Sequence, residues 1–544
     1  MNFEKVHGLT LEDVIAKKKD EYELIIIPDA SMTCENARQI KRIFDVQILV
    51  LDHHLVENEF LDKETNEWIN RDEAKVIYKT DKNRIEVDCY TNYCLAVNCH
   101  DGKYPNPNLS GVGVVQKFIE AYMDKYEEED NIDEKYREYF LDLVSLGMIA
   151  DSMDVRDLEV RYYVLEGLKE RNRHNEFINE LEKRFEEEMK FGRTISSMGW
   201  VIAPKINGTI RYGKNEEQLD LFRAILGEQE EIEYQPRRKS KNDPKPPIEI
   251  HSLQQTMARV AYNVKQRQDT EVRKFVKELE TQIEEKHLDK NSVLFVDGTK
   301  VLTKGTVTGL VANKLASEYF RPVVLLRDKS SDEYGGSCRG YDKGGIPSIK
   351  DFLEECGMHC AGHDNAAGVF LKKADLDSVI KKCNEKLPID QLCTIHTVDW
   401  EIDASKLKKE YVQEVAENYA VFGNTIPEPL FAITNLRINA SKINGYGDNN
   451  SFIRFVYNGI PFIKKYCALT DYDTMTLRDR SILGVNKKDL KLNLICQFVL
   501  NSFEDKINPE VKILYFDVVE DKNGDKKIET KTKTKIIDDD DFDW

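Results

Sequence analysis

Asp52, His53 and His54 have residue types and spacing that could bind a metal ion. They follow an apolar run from Val46 to Leu51, broken only by Gln47, which predicts a buried strand. In an open α/β sheet the ligand site lies at the carboxyl ends of the strands. One carboxylate and two imidazoles at such an edge suit Mn²⁺, Mg²⁺ or Zn²⁺, which accept oxygen and nitrogen ligands.

A β-α-β unit positions this triplet. A second apolar strand, Leu24 to Ile27, ends at Pro28 and Asp29, and a helical stretch over roughly 34–44 joins it to the first strand. The two strands of such a unit are parallel, so Asp29 and His53 converge at one edge of the sheet. A third carboxylate, Asp151, follows another apolar segment, 145–150.

Composition limits the classes of protein that the chain can belong to. Its 544 residues predict roughly three to four domains, and 33% charged with 41% hydrophobic residues is typical of a soluble globular protein. No stretch approaches the ~18 apolar residues of a membrane span, and the N-terminus lacks the apolar core of a signal peptide. The eleven scattered cysteines predict a reducing, cytoplasmic compartment.

The net charge of −19 argues against a broadly basic surface but is compatible with a local basic groove. The Pro-rich segment 235–247, with five Lys or Arg against one Asp, is expected to be an exposed loop: either a strip that contacts phosphates or a solvated linker. The acidic tail 531–544, which closes with Asp538–Trp544, is expected to be disordered; it is either a solvated end or a docking segment.

Elements of different type succeed each other along the chain. Strands and helices alternate over about 1–190, long charged helices dominate 155–290, and the β/α alternation returns at about 291. After about 395, short strands between Gly and Asn turns predict a small β-barrel or sandwich.

Two glycine-rich segments in the second half are candidate phosphate-binding loops. The first is Tyr334–Gly340, which holds Arg339, and the second is Gly362–Gly368, which begins with Gly362-His363. Each is equally compatible with an ordinary turn. A zinc site made of Cys356, His359, Cys360 and His363 is conceivable but not favoured, because four ligands within eight residues rarely reach tetrahedral geometry.

Motifs throughout the chain resemble those of the DHH phosphoesterases, and within them the RecJ single-strand exonucleases. They occur in family order: Asp29, Asp52-His53-His54, Val97-Asn98, Leu109–Val114, Leu146–Asp151, Ile202–Gly208 with Arg211, Lys304–Ala312, Tyr319–Val323, Gly336–Arg339, Gly362–Gly368 and Phe422–Pro429. Single matches of this kind occur by chance, whereas the ordered series is specific.

The resemblance implies an α/β fold with four parts and an acidic tail. These are a DHH catalytic domain with a parallel sheet (1–190), a helical connector (191–290), a DHH-associated α/β substrate-binding domain (291–390), an OB-like β-barrel that binds nucleic acid (391–530) and the tail (531–544).

The resemblance also implies site residues and cofactors. Two Mn²⁺ or Mg²⁺ ions are expected, with Asp29 bridging them, His53 and Asp151 holding one of them, and His54 orienting water or phosphate beside Asp52 as the catalytic pair. The substrate-binding residues expected by correspondence are Asn98, Arg211, Ser337, Arg339, Gly362, His363 and Asn424.

The chain departs from the family pattern at its start. Family members carry an Asp-x-Asp motif on the first strand, before the position of Asp29, whereas the 28 residues before Asp29 contain Asp13 and Asp20 but no such pair. Three explanations are open: a shortened chain, a partner that supplies the strand, or lost activity. We therefore expect an incomplete first metal site.

The resulting expectation is a 5′-to-3′ exonuclease on single-stranded DNA in recombination, repair or replication. It would act in the cytoplasm of a bacterium or a phage-infected cell, with a single-strand-binding protein or helicase as possible partners. The alternatives are a phosphodiesterase for nanoRNA or cyclic dinucleotides, and a catalytically impaired RecJ-like subunit that binds DNA.

Overall fold

The computed structural model describes most of the chain. The described residues are 23–30, 40, 43, 46–54, 59–61, 68–70, 95–100, 104–238, 240, 243–302, 307–392, 394–423, 425–477, 489–503 and 506–519. The chain forms two compact units, Met1–Val264 with Ala420–Pro427 and Lys265–Tyr419 with Glu428–Trp544. Asn424 and the acidic tail, both subjects of sequence predictions, lie outside the described residues.

A parallel sheet opens the first unit. Its strands are β1 (Leu24–Pro28), β2 (Gln47–Asp52) and β5 (Leu95–Asn98), in the order β1-β2-β5, while β3 (Glu59–Leu61) and β4 (Trp68–Asn70) form a separate antiparallel pair. Pairing of Ile27 with Val50 confirms the predicted parallel register of the first two strands. The helix expected between them lies almost entirely outside the described residues.

Strand β2 is buried along its length except at Gln47, as its apolar sequence predicts for a central parallel strand. The helices of this unit are α1 (Gly111–Asp130), α2 (Tyr136–Tyr139), α3 (Leu141–Ala150), α4 (Leu158–Gly167), α5 (Glu176–Glu182), α6 (Ile195–Ser197), α7 (Ala203–Tyr212) and α8 (Asn215–Ile225). Their apolar residues form one core that runs from Leu49 through Met148 and Phe177 to Ala261.

The basic Pro-rich segment lies at the tip of a hairpin. Strands β6 (Glu231–Tyr234) and β7 (Glu249–Ser252) pair in antiparallel fashion, and the described residues between them are exposed or half-buried, which confirms the predicted loop. Helix α9 (Leu253–Glu285) follows and contains the boundary between the two units.

A five-stranded sheet begins the second unit. Its strands are β8 (Leu294–Asp297), β9 (Val323–Asp328), β10 (Glu333–Arg339), β11 (His359–His363) and β12 (Ala366–Lys372), in the order β11-β12-β10-β9-β8. Only the β8–β9 pair of this sheet is parallel. Its helices are α10 (Thr308–Tyr319), α11 (Ile349–Glu355) and α12 (Leu376–Lys386).

The two glycine-rich segments predicted as loops are strands of this sheet. Glu333–Arg339 pairs with both β9 and β12, and 359–372 forms a hairpin that turns at Asp364 and Asn365. At Gly336 the missing side chain permits close strand approach, because a Cβ there would lie 2.1 Å from the Leu325 carbonyl oxygen. The prediction of a loop was wrong for Tyr334–Arg339, because glycine content alone does not reveal strand neighbours. In Gly362–Gly368 a turn does occur, but only at its centre.

The C-terminal part of the second unit is built mainly of strands, as predicted. They are β13 (Trp400–Asp403), β14 (Phe431–Asn439), β15 (Asn444–Tyr446), β16 (Phe452–Tyr457), β17 (Ile460–Lys464), β18 (Asp489–Phe503) and β19 (Lys506–Val518), with helices α13 (Lys409–Glu417) and α14 (Asp471–Thr476). The strands form one mixed sheet in the order β13-β14-β18-β19-β17-β16-β15. Stacked rings of Phe431 and Phe498, 3.9 Å apart, belong to its core. No helix among the described residues is long and apolar enough to cross a membrane.

Candidate functional site

The ends of the parallel strands bring the predicted metal ligands together. Asp29 follows β1, while His53 and His54 follow β2. Asp151 directly follows the last residue of α3. The His53 Nε2 atom lies 3.2 Å from Asp29 Oδ1 and 3.3 Å from Asp151 Oδ2. Residues that are distant in sequence therefore meet at one point.

This donor set fits a divalent cation. A six-coordinate ion such as Mg²⁺ holds neighbouring donor atoms ~3 Å apart, close to the separations around His53 Nε2. The ligand atoms of Asp29, His53 and His54 all lie within 4.8 Å of one another. The hydrogen bond to Asp29 raises the pKa of His53 against the opposing effect of burial, and the charge of Asp151 also raises it. The surroundings of this imidazole thus favour positive charge.

Asp29 has an unusual backbone conformation, and its carboxylate packs against a glycine. Its φ of +53° is left-handed, and its N–H donates to the Leu51 carbonyl at 2.8 Å. A Cβ at Gly111, the first residue of α1, would lie 2.3 Å from Asp29 Oδ1. The Asp29 carboxylate therefore occupies space that is available only because residue 111 lacks a side chain.

Asp52 orients the second histidine from behind. Only 4% of the residue is exposed, and its Oδ1 accepts the His53 backbone N–H at 2.9 Å and lies 2.7 Å from His54 Nδ1. With the Nδ1 hydrogen donated to Asp52, the Nε2 of His54 is left for a metal, water or phosphate. The predicted catalytic pair is thus in contact, with Asp52 acting through His54.

Asn98, a predicted substrate-binding residue, lies at the same sheet edge. Its amide nitrogen donates to the His54 carbonyl at 3.0 Å, and its amide oxygen accepts the His100 N–H at 2.8 Å. Both polar ends of the side chain are used by neighbouring backbone, so Asn98 fixes the segment that carries the histidines.

Arg211, another predicted substrate-binding residue, is exposed on α7 and shares a helix face with Asn207. Trp200 precedes them and is 69% exposed. It lies in a π-helical turn, Met198–Ile202, and such turns are frequent at functional sites. Sequence reasoning missed Trp200, because neither its exposure nor the π-helical turn is visible in the sequence.

Three of the predicted substrate-binding residues share one face of the five-stranded sheet. Arg339 of β10 and His363 of β11 both pair with Ala366 of β12, while Ser337 pairs with Gly368 in the next row. Gly362 belongs to the alternate row of β11, in a positive-φ conformation. The structure therefore gathers Ser337, Arg339 and His363 on one surface.

One terminal nitrogen of the Arg339 guanidinium is held by backbone, and the other packs against a glycine. Its Nη1 donates to the Cys338 carbonyl at 2.7 Å, and a Cβ at Gly309, in the first turn of α10, would lie 2.4 Å from Nη2. Burial lowers the pKa of Arg339, but arginine stays charged under all conditions relevant to a protein. A fixed, partly desolvated cation is suited to bind phosphate.

The zinc site that the sequence made conceivable is not formed. Cys356 and Cys360 belong to the buried core of the second unit, whereas His359 and His363 lie on the exposed side of β11. Alternation along β11 separates the Cys360 thiol from the imidazoles of His359 and His363, and Cys356 lies outside the strand, directly after α11.

Comparisons with known proteins agree with this architecture. No family model matches the chain. It is 31% identical to the SPbeta prophage-derived single-strand DNA-specific exonuclease YorK of Bacillus subtilis (strain 168), over 95% of this chain and 81% of that protein. It is 23% identical to the single-stranded-DNA-specific exonuclease RecJ of the same organism, over 75% of this chain and 47% of RecJ.

Solved structures show the same fold. RecJ from Thermus thermophilus in complex with Mn²⁺ matches with a TM-score of 0.59 at 16% identity, over 94% of this chain and 64% of that one. The Mg²⁺ complex matches with a TM-score of 0.55 at 15% identity, over 94% of this chain and 69% of that one. The chain thus spans less than two thirds of the Mn²⁺-bound RecJ.

The fold and the site define the class of protein. A parallel sheet carries carboxylates and imidazoles at its strand ends, and a second α/β sheet follows it, as in the DHH phosphoesterases that the motifs of the chain resemble. The similarity to YorK then identifies the branch. The chain belongs to the family of RecJ-like single-strand-DNA-specific exonucleases.

Proposed function

We propose that this protein is a metal-dependent exonuclease that hydrolyses phosphodiester bonds of single-stranded DNA from the 5′ end. The observation that carries the proposal is that Asp29 and Asp151 lie 3.2 and 3.3 Å from His53 Nε2, in a chain 31% identical over 95% of its length to a single-strand DNA-specific exonuclease.

Asp29, His53, Asp151 and the Nε2 of His54 are the groups that would hold Mn²⁺ or Mg²⁺, and Asp29 would contribute to holding both expected ions. Bound ions of this kind would lower the pKa of a water nucleophile and neutralise charge that develops on the phosphate. Asp52 keeps His54 in the required tautomer, and Asn98 holds the backbone that carries the histidines. Gly111 leaves room for the Asp29 carboxylate.

We propose DNA contacts in the first unit and, separately, in the second. Arg211, Ser337, Arg339, Gly362, His363 and Asn424 are the proposed contacts. We assign 1–190 to the catalytic domain, 191–290 to the connector, 291–390 to the substrate-binding domain and 391–530 to an OB-like barrel that stacks bases of the strand. We place this action in the bacterial or phage-infected cytoplasm, where a single-strand-binding protein or helicase would present the substrate.

The test uses the purified full chain with a strand of about 30 nucleotides labelled at either the 5′ or the 3′ end. We expect Mn²⁺-dependent release of mononucleotides from the 5′ end, no release in chelator, and loss of hydrolysis with retained DNA binding when Asp52, His53 and His54 are all changed to Ala. Absence of hydrolysis by the folded protein at saturating Mn²⁺ would contradict the proposal and favour a DNA-binding subunit.

Two further measurements separate the alternatives. Faster hydrolysis of dinucleotides or cyclic dinucleotides than of the long strand would favour a small-substrate phosphodiesterase. Full activity at stoichiometric Mn²⁺ would contradict the expectation of an incomplete first metal site.

A further inference from the structure

The sheet face that carries Arg339 and His363 holds a second group of side chains further along the same strands. Its members are Phe370 of β12, His359 of β11 and Lys329, which follows β9 directly. The metal centre and the phosphate-binding residues described above make no use of them.

Strand register places the two groups on the same face. Gly335 and His359 both pair with Phe370, just as Arg339 and His363 both pair with Ala366. The two rows are four residues apart along β12, which corresponds to ~13 Å at ~3.3 Å per residue. The row between them consists of Ser337, Gly368 and Ala361.

Phe370 is an exposed aromatic ring in contact with two basic side chains. The residue is 38% exposed, its ring centroid lies 5.9 Å from that of His359, and Lys329 Nζ lies 4.7 Å from the same centroid. The nearby acidic residue Asp328 is already paired with Lys373 at 2.7 Å. Glu333, on the same face, lies opposite Lys372 in the strand register. The surroundings of the ring are therefore polar and basic rather than those of an apolar protein contact.

The surface between the two groups is open down to the backbone. A Cβ at Gly368 would meet nothing nearer than the Ala361 carbonyl oxygen at 3.6 Å, so the fold itself would accept a side chain there. On the other face of the same strands, Cys338, Ala367 and Val369 are buried in the core. The glycine thus leaves a shallow path from Arg339 to Phe370 that packing does not require.

We propose that Phe370, with His359 and Lys329, is a base-stacking subsite for one nucleotide of the single strand. Arg339 and His363 hold a phosphate of the same strand. This inference rests on the proposed function and adds a base-contacting position to it. An aromatic ring on an open sheet face is a general means of binding unpaired bases, because every base has a face that can stack. The stacked base takes the place of the Lys329 ammonium over the ring, and the ammonium then pairs with a neighbouring phosphate.

The experiment measures binding of oligothymidylates to the full chain in chelator by fluorescence anisotropy, so that hydrolysis does not interfere. Stacking contributes ~1–3 kcal/mol per base, so Phe370→Ala is expected to weaken binding roughly 5- to 150-fold, whereas Phe370→Tyr should bind almost as the parent does. Gly368→Ala adds a Cβ that the fold accepts without a clash, and because it narrows the path it should also weaken binding, but less than Phe370→Ala.

A set of strands with one abasic position each tests the contact itself. One position should weaken binding of the parent protein as much as Phe370→Ala does, and it should weaken binding of Phe370→Ala no further. Lys329→Ala should weaken binding, whereas Lys381→Ala, at another exposed lysine, on α12, should not. Thermal unfolding of each variant verifies that it is folded.

The outcomes separate this inference from the proposed function. DNA binding that is insensitive to Phe370→Ala, or abasic effects that are equal in the parent and the variant, would overturn the subsite while leaving the exonuclease proposal intact. Phe370-dependent binding by a protein that hydrolyses nothing in Mn²⁺ would support the subsite and overturn the exonuclease. Absence of any binding by the parent in chelator would overturn the subsite, while hydrolysis in Mn²⁺ decides the exonuclease proposal separately.

Discussion

The two units build their candidate sites from different parts of a β-sheet. In the first unit Asp29 and His53 follow strand ends and Asp151 follows helix α3. They converge so that Asp29 and Asp151 lie 3.2 and 3.3 Å from one imidazole nitrogen. In the second unit they stand on a strand face, in rows that repeat every ~6.7 Å. Strand ends concentrate charge at one point, as a metal ion requires. A sheet face distributes contacts along a line, as a polymer requires.

This difference predicts steep losses at the first site and graded losses at the second. The first site, made of Asp29, Asp52, His53, His54 and Asp151, is called the point site here. A change at the point site removes a group on which all its neighbours depend. Changes on the sheet face remove one of several contacts, so the remainder still bind. The following variants test that contrast.

The largest effect is expected for His53→Ala. The imidazole lies between two carboxylates, and its loss removes a proposed metal ligand, so hydrolysis should fall on the order of a thousand-fold, equivalent to ~4 kcal/mol. DNA binding should change little. Release of 5′ label in Mn²⁺ measures the first quantity and anisotropy the second. His174→Ala, at an exposed histidine of the same unit, is the matched control. Retained hydrolysis would contradict the metal assignment.

Asp52→Asn should have the next largest effect. The amide keeps the size of the buried side chain but removes the charge that holds the His54 Nδ1 hydrogen. Residues that orient a metal ligand typically contribute roughly 10- to 100-fold, so we expect a loss of about that size and a higher Mn²⁺ requirement. A Mn²⁺ titration of the rate measures both. An unchanged titration would show that His54 acts without its carboxylate partner.

Arg339→Ala tests the sheet face. Hydrogen bonds to a charged group contribute ~1.5–3 kcal/mol, so KM should rise roughly 10- to 150-fold while kcat changes less. Arg339→Lys keeps the charge but cannot make a bidentate contact with phosphate, so it should restore only part of the affinity. Steady-state kinetics on a short strand separate the two constants. A loss confined to kcat would place Arg339 with the point site.

Trp200→Ala should have the smallest effect. One stacked base lost from an otherwise intact surface corresponds to ~1 kcal/mol, or about fivefold in affinity, and Trp200→Phe should restore most of it. Anisotropy with a strand of about 20 nucleotides measures the change. Equal weakening by both variants would show that this exposed ring does not stack on bases.

The point site was predictable from sequence because its cause is local. Apolar runs that end in Asp29 and in Asp52-His53-His54 define parallel strands, and parallel strands share an edge. The site on the sheet face was not predictable from sequence, because it depends on which strands become neighbours. Gly335–Gly340 has the composition of a turn, and only pairing with β9 and β12 makes most of it a strand. Phe370 is apolar, and the residues on either side of it in the sequence, Val369 and Leu371, are buried. Nothing in the sequence therefore distinguishes it from a core residue.

Asp52 shows the same limit within the point site. Sequence reasoning grouped it with His54 by adjacency, but its burial and its contact with Nδ1 define its role as one of orientation. Adjacency in sequence identifies members of a site, whereas the direction of each side chain decides what each member does.

The left-handed backbone of Asp29 restricts how this enzyme can be silenced without damage. Aspartate, asparagine and glycine tolerate that conformation far better than other residues, and of these only asparagine keeps the shape of the carboxylate. Asp29→Asn would therefore leave the site shaped for DNA while removing the charge that a bridging ligand must supply. Such a protein would hold strand ends without cutting them, and in a cell it would shield its substrate from the intact enzyme.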